Sequence, residues 1–479
     1  MPTILLSDEA LERHSKMTSV YDLFLSLYRS IAEDGMTEIV RRLFSPWDQA
    51  RYPEWRNLSH PWCTTLLDDI GNDPNEWLDE FFKMRDLLLS RFRAWVRESG
   101  NQYDALDQQV TWVVTALRQM DIVIGRALAF PMGAATYPSP PRANGYTLVL
   151  NPGTGFHNRY RVRKGLDPVP PLQHGEFVQS LGLVRTYVVE PLAGEQYFEW
   201  TIERVQPLIE SVWRGLMERE ELRFAMLSFP HGKTHPTLEF KEKCFLVKDL
   251  GSSEPEFDGS VLNRLQTIAQ EAGVAVLLFP ELTASNSLVS GVKARLAANP
   301  NRFGLVIPGS RHAEVSVGTW RNTCIGIDPI GRESNVVHHK ITRYALPGKE
   351  AQAYGREPAV ETIECIEARR QIRLYDSFTL GRFAVLICRD IIEPSVPEFL
   401  RRHRLDNIFV LAMTPDLEDF RERCSDLGRE LDAGVFVVNT GDAQPPQPAF
   451  IYLPVRGKKD LEVCPTGPHH ECLHITPAF

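Results

Sequence analysis

The sequence of 479 residues lacks several features that would place it in a membrane, outside the cell or on nucleic acid. No uninterrupted apolar stretch is long enough to span a bilayer. The N-terminus has neither the basic start nor the long apolar core of a signal peptide. The eight cysteines are scattered without the spacing of a disulfide framework, and the net charge is −9. These absences predict a cytoplasmic protein with reduced thiols, no membrane association and no nucleic-acid partner.

Signatures of bound metals and cofactors are also missing. Residues 464–474 gather two cysteines and three histidines, but the cluster is single and irregular, unlike the paired ligands of structural zinc sites. A glycine turn at 151–155 follows a predicted strand at 147–150, but it lacks the Lys-Ser/Thr ending of a phosphate-binding loop. We therefore predict no metal site and no cofactor.

The chain is too long for one typical hydrophobic core, which predicts two domains. Residues 1–218 are predicted to be mostly helical, because apolar side chains recur at helical spacing within 78–95 and 103–128, and 195–218 is also read as helix. Residues 219–479 alternate apolar strands with helices, which is typical of an α/β domain.

Three reactive side chains follow apolar strands of the second half. The unbroken apolar run 383–387 is typical of a strand buried on both faces, and Cys388 comes directly after it. Glu281 follows the run 274–279, and Lys340 lies at the end of a third predicted strand. A cysteine taken at random is more often a core residue. A thiol, a carboxylate and an amine at strand ends, where α/β proteins place their sites, nevertheless form a candidate catalytic trio.

The order Glu281, Lys340, Cys388 resembles the Glu-Lys-Cys triad of the nitrilase, or carbon–nitrogen hydrolase, superfamily. Other segments resemble the family's motifs in the same order: PE at 280–281, RNTCIGIDPIG at 321–331, LPGKE at 346–350, CRD at 388–390, GRELD at 428–432 and VFVVNTG at 435–441. The resemblance runs from about residue 221 to the C-terminus, and no family is recognised before it. It implies that 219–479 forms a four-layer α-β-β-α sandwich.

The resemblance also implies a mechanism. Cys388 would be the nucleophile, Glu281 the general base, and Lys340 with the backbone N–H of Arg389 the stabiliser of the negative oxygen. Glu350 would orient Lys340 or the incoming water. The implied function is hydrolysis of a small-molecule amide or nitrile through an acyl-cysteine. Two alternatives remain open, namely acyl transfer to an amine acceptor and a binding or regulatory module without turnover.

Two features of this sequence depart from the pattern of the nitrilase superfamily. Arg389 stands where many relatives have an aromatic or acidic residue, so it either favours an anionic substrate or pairs with a nearby carboxylate. The segment 351–377 is long and charged, which predicts a lid or specificity loop.

Family members commonly pair beside the helix after the nucleophile, here about 394–403. This implies a homodimer or a larger assembly.

Overall fold

The structure is a computed structural model. It describes residues 8–17, 20–33, 85–86, 90, 110, 113–114, 116–118, 120–121, 142–143, 146–150, 186–189, 198–217, 221–228, 238–241, 244–247, 255–271, 273–348, 352, 362–414, 417–431, 433–440, 449–453, 461–463 and 471–477. The chain divides into two compact units: unit 1 comprises 1–134, 138–153 and 173–195, and unit 2 comprises 135–137, 154–172 and 196–479.

Unit 1 combines helices with a small sheet. Its described elements are α1 (Asp8–Ser15), α2 (Val20–Glu33), β1 (Arg142–Ala143), β2 (Tyr146–Leu150) and β3 (Thr186–Val189). The three strands pair antiparallel, and Tyr28 of α2 meets Tyr146 edge-on at 6.0 Å. Val110 and Leu117 are helical and buried, as their spacing predicts. The helix start predicted at residues 73–74 lies outside the described residues.

Unit 2 contains the remaining described elements. Its strands are β4 (Glu199–Arg204), β5 (Glu221–Leu227), β6 (Leu238–Lys241), β7 (Cys244–Val247), β8 (Val274–Leu278), β9 (Phe303–Ile307), β10 (Ser310–Ser316), β11 (Thr319–Ile327), β12 (Glu333–His339), β13 (Ala345–Leu346), β14 (Thr362–Glu364), β15 (Gln371–Ser377), β16 (Gly381–Ile387), β17 (Asn407–Leu411), β18 (Gly434–Val438), β19 (Ala449–Tyr452), β20 (Leu461–Val463) and β21 (Glu471–Pro477). Its helices are α3 (Pro207–Met217), α4 (Pro255–Glu271), α5 (Asn286–Ala298), the 3-10 helix Cys388–Ile391, α6 (Ser395–Arg402) and α7 (Glu418–Leu431).

Two large sheets form the centre of unit 2. The first has the order β10-β11-β9-β8-β5-β21, with β12 paired to β11, and the second has the order β20-β19-β18-β17-β16-β15-β4. Phe224 of the first sheet stacks on Phe436 of the second at 4.6 Å, so the sheets pack face to face. A smaller sheet, β13-β14-β7-β6, also belongs to this unit.

Helices cover the outer faces of both sheets. α4 and α5 share a buried apolar cluster with β8 and β9, while α7 packs on β18 and β19. Strands β8, β9, β16, β17 and β18 are buried at every residue, because a sheet covered on both faces needs continuous apolar strands. Unit 2 is therefore a four-layer α-β-β-α sandwich, as the resemblance implied. Within the described residues, no helix has the length and apolar character that crossing a bilayer requires.

The boundary between the two units differs from the predicted domain boundary. The boundary between residues 218 and 219 falls inside unit 2, which already includes β4 and α3. β4 is a strand rather than the predicted helix, and it pairs in parallel with β15 along six residues. Trp213 of α3 is fully buried and donates its indole N–H to the carbonyl of Ala275 at 2.6 Å. The strand forms because of a partner about 170 residues away in the chain, which local spacing does not reveal.

The prediction of uniformly reduced cysteines is also wrong for one pair. Cys244 and Cys365 form a disulfide, with their Cα atoms 5.1 Å apart. The parallel pairing of β7 and β14 brings these residues together across 121 positions of sequence. Cys324, Cys388 and Cys424 are free and buried.

Candidate active site

Side chains from three sheets of unit 2 meet in one buried cluster. Glu281 follows β8, Lys340 follows β12, Glu364 ends β14 and Cys388 follows β16. Each of them is at most 4% exposed. The layered fold places the ends of these strands together, so residues separated by up to 107 positions form one site.

A buried ammonium between two carboxylates forms the charged core of this cluster. Lys340 Nζ donates to Glu281 Oε1 at 2.8 Å and to Glu364 Oε2 at 2.8 Å. Burial alone would lower the pKa of Lys340, but the two carboxylates overcome that effect and raise this pKa well above its ordinary value. Lys340 is therefore a permanent cation of the site.

The two carboxylates differ in pKa although they share one lysine. Burial disfavours the charged form of Glu281 and raises its pKa, although Lys340 opposes the rise. Burial also acts on Glu364, yet Lys340 and a hydrogen bond from His312 hold the pKa of this carboxyl at about 2. Glu364 consequently stays ionised, whereas Glu281 has an increased tendency to bind a proton.

Cys388 lies at a sharp turn between β16 and the 3-10 helix. Its backbone φ is +49°, in the left-handed region that non-glycine residues seldom adopt. The thiol hydrogen-bonds the carboxylate of Glu281 and the backbone of Met413. Burial raises the pKa of this thiol, and the negative charge of Glu281 raises it further. The resting group is thus a thiol with a carboxylate in hydrogen-bonding contact.

Asn322 of β11 bridges the two carboxylates. Its Nδ2 donates to Glu281 Oε1 at 2.9 Å and to Glu364 Oε1 at 3.0 Å. Its backbone carbonyl accepts the N–H of Lys340 at 2.8 Å. Asn322 is fully buried, and it contacts three of the four groups of the cluster.

His312 of β10 supports Glu364 from the side. The backbone N–H of Val247 donates to His312 Nδ1 at 2.8 Å, so Nδ1 carries no proton. The proton of the ring therefore lies on Nε2, which donates to Glu364 Oε1 at 2.8 Å. His312 is a neutral hydrogen-bond donor in this arrangement.

Asp390 links the turn at Cys388 to the segment that follows Lys340. Its Oδ1 accepts the backbone N–H groups of Ile341 and Thr342, each at 2.9 Å. Its Oδ2 accepts the N–H of Ile387 at 3.2 Å and Nε2–H of His338 at 2.8 Å. One buried carboxylate thus holds the residues on both sides of the site at a fixed separation.

The structure also locates the other residues that the sequence singled out. Arg389 is exposed, and its guanidinium lies 5.8 Å from the ring centroid of Tyr344. Within the described residues no ion pair joins Arg389 to a carboxylate, so the predicted pairing with a nearby carboxylate is not seen there. Glu350 lies outside the described residues.

Glu364 and Asn322 are the site residues whose roles sequence reasoning missed. Glu364 lies in the segment 351–377, which was predicted as a lid or specificity loop but contains β14 and β15. A glutamate in the alternating sequence TIEC was the available signal, since an acid on the buried face of a strand needs a partner. Asn322 belongs to the quoted hairpin motif, but only the fold brings its amide to both carboxylates.

A pocket of 420 Å³ lies next to this cluster. His312 lines it, together with Leu282, Arg311 and Trp320, while its lining includes none of Glu281, Lys340 and Cys388. The pocket therefore adjoins the cluster, because His312 bonds to Glu364 and Leu282 follows Glu281.

The chain matches no family model and no curated protein, whereas a search of solved structures finds proteins with similar folds. An amidase from Nesterenkonia sp. is 14% identical over 54% of this chain and 90% of its own, with a TM-score of 0.34. Saccharomyces cerevisiae Nit3, a member of branch 10 of the nitrilase superfamily, is 11% identical over 54% and 90%, with a TM-score of 0.37. Glutamine-dependent NAD+ synthetase from Acinetobacter baumannii is 17% identical over 53% and 45%, with a TM-score of 0.34. These values assign neither an activity nor a substrate to this chain.

Proposed function

We propose that this protein is a thiol-dependent hydrolase of the nitrilase type, which cleaves an amide or nitrile carbon–nitrogen bond through an acyl-cysteine. The observation that carries the proposal is the convergence of Glu281, Lys340 and Cys388 in one buried cluster, with the cysteine held at a left-handed turn. Unusual backbone conformations of this kind concentrate at functional sites. A purely structural thiol has no need of a carboxylate and an ammonium beside it.

The first half of the reaction follows from the hydrogen bonds of the cluster. Glu281 accepts the thiol proton while Cys388 Sγ bonds to the carbonyl carbon of an amide, and the carbonyl π electrons move to oxygen. Lys340 has three ammonium protons, and two of them are donated to Glu281 and Glu364. The third is available for the developing oxyanion, together with the backbone N–H of Arg389.

The second half returns the proton and releases the acyl group. When the carbon–nitrogen bond breaks, the leaving amine takes the proton held by Glu281. Glu281 then deprotonates a water molecule that attacks the thioester, and the resulting carboxylic acid leaves as Cys388 regains its proton. Glu364, kept ionised by Lys340 and His312, holds the lysine in place throughout.

The first prediction tests the nucleophile. We expect mass spectrometry after incubation with a panel of small amides and nitriles to detect an acyl group on Cys388, and Cys388→Ala to abolish both the adduct and turnover. Cys424→Ala is the matched control, because it removes another buried free thiol. Turnover by Cys388→Ala at a rate comparable to the unmodified chain would exclude the thiol mechanism.

The same experiment separates the alternatives. Addition of hydroxylamine traps the acyl group as a hydroxamate, so a product formed only with an amine acceptor indicates an acyltransferase. Binding of panel members without any adduct or product indicates a binding module. Amides bearing a carboxylate belong in the panel, because Arg389 follows Cys388 in the chain, is exposed, and as a cation favours an anionic substrate.

A further inference from the structure

We propose that Asn322 positions Glu281 for proton transfer by holding one carboxylate oxygen, so that the other faces the thiol of Cys388. This inference rests on the proposed function and adds a positioning residue to its machinery. Asn322 contacts the base itself and acts on the thiol through it.

The hydrogen bonds of the amide leave little freedom. An Asn side chain has two N–H protons, and Asn322 gives one to each carboxylate, at 2.9 Å to Glu281 and 3.0 Å to Glu364. An ionised carboxylate only accepts hydrogen bonds, so the nitrogen of the amide has to face both of them. The orientation of Asn322 is consequently determined by its two partners.

The same contacts select the oxygen of Glu281 that faces the thiol. Oε1 of Glu281 accepts from both Lys340 Nζ and Asn322 Nδ2. Neither donor contacts Oε2, which we therefore assign to the contact with the thiol of Cys388. Either oxygen of a carboxylate can contact a single lysine, whereas two donors from different segments of the chain restrict the rotation of the Glu281 carboxylate.

The backbone of Asn322 adds a third restraint. Its carbonyl accepts the N–H of Lys340 at 2.8 Å, and the adjacent Thr323 pairs with His339 in the β11–β12 register. Asn322 therefore contacts the lysine and both carboxylates, and it fixes their positions relative to itself. The side chain of Asn322 reaches both carboxylates only because β11 places it at this register.

The charges around Glu281 make the effect measurable. The groups that act on it are the ammonium of Lys340, the carboxylate of Glu364 and the thiol of Cys388, with neutral His312 behind Glu364. Asn322→Asp keeps the shape of the side chain but adds a third carboxylate around one ammonium. Like charges disfavour ionisation, so the thiolate of Cys388 becomes harder to form.

The experiment uses the rate at which iodoacetamide alkylates Cys388 in the 479-residue chain, measured by peptide mass spectrometry across neutral and alkaline pH. We expect Asn322→Asp to shift the midpoint of this pH profile upward by at least about one unit, as for carboxylates that share a site. Asn322→Ala adds no charge, so we expect a smaller shift and a slower reaction. Asn335→Asp is the matched control, since Asn335 lies on β12 and bonds to Glu203 and Arg204.

The proposal would be overturned if the pH profiles of Cys388 alkylation had the same midpoint in Asn322→Asp and in the unmodified chain. A lower melting temperature with an unchanged rate of Cys388 alkylation would also overturn it. If Asn322→Asp fails to fold, Asn322→Ala decides, with protection of buried Cys424 from alkylation showing that the variant is folded. An unchanged rate in that folded variant also overturns the proposal. The readout needs no turnover, so a shifted profile without hydrolysis of any amide supports the role of Asn322 while rejecting the proposed function.

Discussion

At the scale of single residues, two glutamates beside one lysine differ in pKa because of their surroundings. Glu364 receives hydrogen bonds from Lys340, Asn322 and His312 and stays ionised. Glu281 shares Lys340 and Asn322, but its other contact is a thiol that can only give it a proton. Pairs of acids whose environments separate their pKa values are typical of general acid–base sites.

We predict that Glu281→Gln lowers turnover by at least about a hundredfold, the lower bound for positioned proton transfer. Glutamine keeps the shape of the glutamate side chain, and its oxygen can still accept the hydrogen bond from Asn322. It cannot take the proton of the Cys388 thiol. Because burial raises the pKa of Glu281, we expect the activity of the unmodified chain to be lost as the pH falls through a value above the pKa of an ordinary glutamate. Activity and alkylation of Cys388 are both measured against pH.

The binding of substrate should change little in this variant, because proton transfer matters in the transition state. Protection of Cys424 from alkylation serves as the internal control for an intact fold. A lowered melting temperature with an unchanged alkylation rate of Cys388 would remove Glu281 from the mechanism and leave it a structural role.

At the scale of elements, a strand and its following turn hold Cys388 in place. β16 is anchored at its first residues by the buried ion pair of Arg382 with Asp376, at 2.6 Å and 2.8 Å. At the other end of β16, Asp390 bonds the turn to the lysine segment. A left-handed cysteine costs free energy, so the surrounding hydrogen bonds have to impose it.

We predict that Asp390→Asn slows the alkylation of Cys388 as well as lowering the melting temperature. An amide cannot accept all four N–H groups that Asp390 accepts, so buried donors lose partners at a cost of about 1–3 kcal/mol each. Alkylation is measured well below the melting temperature, where the variant is folded.

Asp376→Asn is the matched control for this prediction. It weakens the other buried anchor of β16 and lowers the melting temperature, but its partner Arg382 lies at the far end of the strand. Alkylation of Cys388 should stay unchanged in the folded control. Equal slowing in both variants would show that Asp390 contributes only general stability.

At the scale of the whole molecule, the sandwich begins earlier in the chain than its motifs suggest. Glu210 of α3 is buried and accepts the hydroxyl of Ser377 at 2.7 Å and the N–H of Thr379 at 2.9 Å. It therefore fixes the turn that leads into β16. β4 and α3 are structural parts of the unit that carries the site.

We predict that Trp213→Ala destabilises unit 2 by about 3–5 kcal/mol, the usual cost of truncating a buried aromatic residue. The variant loses the hydrogen bond to Ala275 and the edge contact with Phe383, whose ring centroid lies 6.0 Å away. Alkylation of buried Cys424 along a urea titration reports the unfolding of unit 2. If the domain boundary lay at 218, the midpoint of that titration would not move.

We also predict that the protein forms a homodimer or larger assembly through the surface of α6. The apolar side of α6 is buried within the chain, and Phe399 contacts Phe198 at 5.5 Å. Glu398, Arg401 and Arg402 occupy the remaining surface, so pairing there should weaken as salt increases. Light scattering at low and high salt measures this, and a monomer mass at every salt concentration would contradict the prediction.

Apolar runs and the polar residues that end them determined the central strands and three members of the site. The run before Cys388 needs only its own composition to form a buried strand, and the same holds for the strand before Glu281. The resemblance to the family's motifs also implied the order of the four layers, α-β-β-α. These features are local, so a single sequence contains them.

Only the tertiary structure decided the pairings between distant segments. The strand at Glu199–Arg204 exists because β15 offers it a parallel edge, and Cys244 meets Cys365 because β7 lies beside β14. The partnership of Lys340 with Glu364 has the same origin, since an acid and a base 24 positions apart are joined by three-dimensional packing. Hydrogen bonds and ion pairs act over a few ångströms of space, whereas sequence patterns record only neighbours along the chain.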